Sequence, residues 1–221
     1  MNRVRRFGDT ALLVELDDAL AAQALAAALA TDPVPGVEAA VPGLRSVLIE
    51  LRDDADDIGA VERAILARLA RDVAPPPGRL RTVPVVYGGE HGPDLADVAA
   101  ARGMTANEYA RRHAATELRV LFCGFAAGFA YLGDLPDDLR VPRLATPRTR
   151  TPAGSVAVAG TMSGIYPAPL PGGWRIIGRT PVRVFDPWRD PPAWLAPGDR
   201  VRFVPTDSDR WPDGPIAPDE P

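Results

Sequence analysis

Lysine is missing from this chain of 221 residues: all 25 of its basic residues are arginine. That excludes a phosphate-binding P-loop lysine, a Schiff-base lysine and an attached biotin within the chain. A single cysteine, Cys123, allows no internal disulfide and no cysteine metal cluster, and no metal-ligand spacing is present. Only two histidines occur, so a Ser-His-Asp triad is poorly supported, and Ser155 in A-G-S-V-A is not a nucleophile elbow. Long apolar runs are missing as well. The Ala-rich stretch from Ala19 to Ala30 is too short and too weakly apolar to span a bilayer, and Met1 to Thr10 has no apolar segment behind it. The expected location is the cytoplasm. A net charge of -4 argues against nucleic acid as the main partner.

What is present reads as an α+β protein in two parts. Val4 to Leu16 is strand material broken by a Gly8-Asp9 turn, and Asp17 or Asp18 caps a helix through Ala30. Val37, Ala39 and Val41 alternate, Pro42-Gly43 turns, and Val47, Ile49 and Leu51 alternate again, as a hairpin does. Ile58, Val61, Ile65 and Leu69 form the apolar face of a second helix, and Thr82 to Tyr87 is a further strand. The order β-α-β-β-α-β predicts a ferredoxin-like α/β sandwich over residues 1–78. Ala74 to Gly78, with three prolines, predicts a stiff extended linker.

Beyond the linker, Asp94 is the expected cap of a short helix, and Thr105 with Glu108 forms a capping box for another ending near His113. Sixteen of the 25 prolines follow residue 140, which excludes long helices there. Val156–Ala159, Trp174–Ile177, Val182–Phe185 and Val201–Val204 are the clearest strands, and a small closed or nearly closed barrel over 79–205 fits them. Residues 206–221, rich in Asp and Pro, are expected to form a flexible tail.

Candidate binding chemistry gathers in the barrel's turns. Gly172-Gly173 is either a backbone nest for an anion or a tight hairpin with Trp174 packed inward. Arg143, Arg148 and Arg179 lie in or beside rigid loops, where a guanidinium receives carboxylate or phosphate well, though each also reads as a solvated surface residue. Phe125, Phe129 and Tyr131 alternate around Gly124 and Gly128, as core aromatics or as the wall of a ligand or partner site. His113, near a helix end, is a better acid–base candidate than His91, and a capping or exposed role competes with that reading.

Four segments together carry a resemblance. Y-G-G-E-H-G-P-D from Tyr87, G-F-A-A-G-F-A-Y-L-G from Gly124, T-P-R-T-R-T-P-A-G-S-V from Thr146 and P-G-G-W-R-I-I-G-R-T-P from Pro171 resemble the KipI, or allophanate hydrolase subunit 1, family. The likeness runs to P-G-D-R-V-R-F near Arg202, and Ala127 departs from the proline usual in G-F-x-P-G-F. The resemblance implies an N-terminal α/β domain followed by a cyclophilin-like β-barrel. It also implies a heteromer with a KipA/PxpC-like subunit and a PxpA-like subunit, which together open 5-oxo-L-proline with ATP. KipI-like inhibition of a sensor histidine kinase and a role in urea carboxylase or allophanate hydrolysis are the family's other activities. For the opening of 5-oxo-L-proline, Arg148, Arg179, Gly172, Gly173 and Ser155 are expected to bind the anionic ligand, and His113 and Tyr166 to handle protons or orient it.

Overall fold

The computed structural model describes residues 3–55, 57–71, 74, 75 and 77–207 and divides the chain into two compact units, Met1–Gly78 and Arg79–Pro221. In the first unit, strands β1 (Arg3–Arg6) and β2 (Ala11–Glu15) form a hairpin. Helix α1 (Ala19–Thr31), strands β3 (Val37–Pro42) and β4 (Ser46–Leu51) and helix α2 (Ile58–Leu69) follow. Asp18 and Asp57 cap the two helices, each accepting a hydrogen bond of 2.8 Å from the backbone three residues on. The sheet is antiparallel in the order β1-β2-β4-β3. Leu12, Val14, Val47 and Ile49 on the sheet and Leu25, Leu29, Val61 and Ile65 on the helices make one core.

One expectation fails here. The last strand of the predicted sandwich, Thr82 to Tyr87, belongs to the second unit as part of β5 (Leu80–Tyr87). The edge beside β2 is filled by β1 instead. Alternation alone cannot tell which sheet a strand joins, because that depends on partners distant in sequence.

The second unit is built on a closed barrel. After β5 come helices α3 (Leu95–Ala100) and α4 (Ala106–Ala115), strands β6 (Leu118–Cys123) and β7 (Ala130–Gly133), and a 3-10 turn, Asp137–Leu139. Strands β8 (Arg148–Thr151), β9 (Ser155–Ala159), β10 (Met162–Ile165), β11 (Leu170–Gly172), β12 (Arg175–Arg179) and β13 (Arg200–Pro205) complete it. The barrel order is β10-β7-β6-β13-β5-β12-β9, with β8 and β11 paired as a separate ribbon. Val182–Phe185, expected as a strand, is not a continuous one: Val182 and Phe185 each make a single bridge, Phe185 with Ala193, while Val182 and Val184 still enter the core. Residues 208–221 of the expected tail, and Pro76 of the expected linker, lie outside the described residues. No described helix is long and apolar enough to cross a membrane.

Alternation along two strands sorts the barrel wall into two faces. On β9, Val156 and Val158 point into the main core, while Ala157 and Ala159 underlie a separate aromatic layer of Phe129, Tyr166 and Trp174. On β10, Ile165 joins the main core and Met162 packs on the aromatic layer. A Cβ on Gly164 would lie 3.1 Å from Phe129 and 3.2 Å from Trp174, so the absence of a side chain lets both rings settle on the strand.

Candidate functional site

The polar interior of the barrel centres on His113. Thr105 caps α4 through Glu108 N (3.2 Å), and the helix brings Tyr109 and His113 inward one turn apart. His113 is fully buried and its ring stacks on Phe203, with centroids 4.8 Å apart. Ser163 Oγ donates to the Ala157 carbonyl (3.1 Å), so its one hydroxyl proton is already committed. It therefore accepts from His113 Nε2 (3.1 Å), and the bare Nδ1 accepts from the Tyr87 hydroxyl (2.8 Å). The result is a directional chain around a neutral imidazole. Burial pushes the imidazole down to about 3 and the Tyr87 phenol well above its usual range. The exposed role that the sequence also allowed for His113 is corrected accordingly: the ring is sealed in the core and both of its nitrogens are occupied.

Two of the predicted anion-binding arginines are engaged by the protein itself. Arg148 donates to Asp94 Oδ1 (2.6 Å), whose other oxygen accepts from Ile176 N (2.6 Å). Asp94 stands at the N-cap position of α3, as the sequence predicts, but its side chain makes no capping bond; it fastens the Tyr87–Asp94 loop to β12 and β8. Arg179 Nε donates to the Ala153 carbonyl (2.8 Å). Ser155 is buried in β9 opposite Arg179.

Gly172 and Gly173 form no nest, since neither takes a left-handed φ. Gly172 pairs with Arg148 across the β8–β11 ribbon, and a Cβ there would overlap the Tyr166 hydroxyl. Trp174 packs inward, as the hairpin reading requires. Tyr166 is buried beneath this turn, and burial pushes its phenol up.

The outer aromatic layer does bring predicted residues together. Phe129 is its hub, meeting Phe125 (5.5 Å), Tyr131 (4.9 Å), Tyr166 (5.3 Å) and Trp174 (5.7 Å) edge to face. A bulge between Val120 and Phe122 sets Phe122 opposite Tyr131, and their rings stack at 4.2 Å. Phe125 is 61% exposed and has φ of 70°, the one non-glycine residue with positive φ among those described.

Beside this layer opens a pocket of about 520 Å³ lined by Phe122, Tyr131, Arg143, Thr161, Met162 and Trp174, among others. Arg143 lies over Trp174, 6.0 Å from the ring centroid. Its backbone is strapped on both sides, by Gly160 N to Val141 O (2.7 Å) and Leu144 N to Gly173 O (2.7 Å). Burial raises the Tyr131 phenol, and the nearby Arg143 charge opposes that shift. In the sequence Arg143 is only one of three loop arginines, and nothing there assigns Phe122 or Met162 to a site. The bulge that turns Phe122 outward depends on pairing with β7, which leaves no local signal.

Comparison with known proteins adds to this geometry. A model of the carboxyltransferase domain, subdomain C and D, matches residues 2–195. The B subunit of 5-oxoprolinase from Escherichia coli O157:H7 is 43% identical over 93% of this chain and 97% of its own length. Its counterpart from Bacillus subtilis (strain 168) is 34% identical over 91% of this chain and 92% of its own length. The crystal structure of TTHA0988 superposes with a TM-score of 0.79 at 34% identity, covering 96% of this chain, which spans 42% of that longer one. With nearly its whole length matched in sequence and fold, the chain belongs to the family of carboxyltransferase domains, subdomain C and D, to which its resemblance to 5-oxoprolinase B subunits also points.

Proposed function

We propose that the chain is the B subunit of an ATP-dependent 5-oxoprolinase, contributing one wall of a site completed by KipA/PxpC-like and PxpA-like subunits in the cytoplasm. The observation that carries this reading is the 43% identity to the B subunit of a 5-oxoprolinase across almost the full length of both proteins.

The chemistry suits a divided site. A five-membered lactam resists water because its nitrogen lone pair is delocalised into the carbonyl. Transfer of the terminal phosphoryl group of ATP to the lactam oxygen releases ADP and activates the carbon. Water then adds, the C–N bond breaks with a proton delivered to nitrogen to leave the γ-glutamyl phosphate, and a second water cleaves that acyl phosphate to L-glutamate and inorganic phosphate. Phosphoryl transfer draws on cationic clamps more than on a protein nucleophile. This chain has arginines but no lysine for a P-loop, so ATP is assigned chiefly to the partner subunits. Phe125, exposed on a strained loop, supplies an aromatic anchor for such a partner.

The test is reconstitution of the three subunits followed by assay of ADP and glutamate formation. The complex should turn over 5-oxo-L-proline, while this chain alone should not. Turnover of urea or allophanate in its place, or activity of the isolated chain, would overturn the reading.

A further inference from the structure

The geometry points to the groove formed by Arg143, Trp174, Tyr131, Phe122 and Met162 as a receptor, within this chain, for a small flat molecule bearing a single carboxylate. At about 520 Å³ the groove matches a ligand of one ring with substituents. Its walls are aromatic and apolar, and Tyr131 and Trp174 meet at 68° with centroids 5.7 Å apart, giving a corner against which a flat ring can rest. Arg143 is the only charged side chain among the described residues lining it. No ion pair or hydrogen bond involves its guanidinium among those residues, in contrast to Arg148 and Arg179.

A guanidinium seated on an indole face, with flanking backbone tied at Val141 and Leu144, presents a planar fork that a carboxylate meets with two parallel hydrogen bonds. One cation neutralises one carboxylate. A phosphate dianion would leave a charge uncompensated, because no second cation lines the groove. The ligand class follows from these walls alone. That 5-oxo-L-proline is the natural member of the class rests on the oxoprolinase reading.

Calorimetric titration of the full chain tests the assignment with four probes: 5-oxo-L-proline, 2-pyrrolidone (the same ring without the carboxylate), benzoate and inorganic phosphate. The two carboxylates should bind, 2-pyrrolidone should bind at least about 10-fold more weakly, and phosphate should not compete. Arg143→Gln should weaken carboxylate binding about 10- to 100-fold without altering the melting temperature. Met162→Trp, which fills the groove, should abolish it. Equal affinity for 2-pyrrolidone and 5-oxo-L-proline, binding indifferent to Arg143→Gln, displacement by phosphate, or no carboxylate binding at all would each overturn the receptor. Benzoate binding without 5-oxo-L-proline binding would uphold the receptor and count against the oxoprolinase reading. A reconstituted complex whose Arg143→Gln variant keeps its full kcat/KM would do the reverse.

Discussion

The two faces of one barrel wall are built to opposite rules. Towards the interior, β10 presents Ser163, whose hydroxyl joins a chain in which Tyr87, His113, Ser163 and the Ala157 carbonyl each have a partner. Towards the outside, the same strand presents Met162 to a groove holding a cation with no ion-pair or hydrogen-bond partner among the described residues, near a loop whose Phe125 is both strained and exposed. A buried polar group without a partner costs about 1–3 kcal/mol, so the interior must satisfy its own hydrogen bonds. A solvated guanidinium carries no such penalty and remains available to a ligand. Residues one position apart therefore answer to stability on one face and to recognition on the other.

Removing the centre of the inner network should have the largest effect. His113→Ala opens a cavity and orphans Tyr87 and Ser163, and chemical denaturation should show a loss of about 3–5 kcal/mol. The same residue makes the inner face sensitive to acid. Unfolded His113 takes up a proton near 6.5, whereas the folded ring resists until about 3, so between those values the unfolded chain binds more protons. Its contribution is complete above the upper value and declines as pH falls, by roughly 1.4 kcal/mol per unit. Denaturation midpoints measured across that range should show a shallower slope in His113→Gln, and an unchanged slope would mean that another group dominates.

Next in size is the lock between the Tyr87–Asp94 loop and the barrel. Arg148→Ala strands a buried carboxylate and should cost about 2–4 kcal/mol, part of which Asp94→Asn in the same chain should restore. A loss of binding with no loss of stability would return Arg148 to the ligand site. On the outer face, Phe125→Gly relieves the positive φ while losing one ring contact, so stability should stay within about 1 kcal/mol. Assembly with partner subunits, followed by size-exclusion chromatography, should weaken markedly. Smallest of all, Arg143→Gln should move stability by no more than about 0.5 kcal/mol. A larger change would show that Arg143 belongs to the scaffold.

Much of the local structure is legible in the sequence because its causes are local. Asp18 and Thr105 accept hydrogen bonds from amides three residues ahead, and S-V-A-V-A alternates along one strand. Asp94 shows where this kind of reading fails. It has the sequence context of a helix cap, but Arg148, 54 residues away, offers its carboxylate a charged partner that a cap does not. The sequence places His113 on a helix one turn from Tyr109, yet only the closed barrel shows that this face of the helix is buried.

Composition, short-period pattern and motif were enough to set the helices, the caps at Asp18 and Thr105, the strand alternation, the absence of lysine chemistry and the family. None of these needs a partner from a distant part of the chain. Which sheet received β5, which arginines were consumed by the fold and which one was left at the mouth of a pocket were settled by the folded barrel alone. Those outcomes depend on the partner each group meets across the closed barrel, and a guanidinium has the same chemistry in the sequence whether or not a carboxylate waits for it.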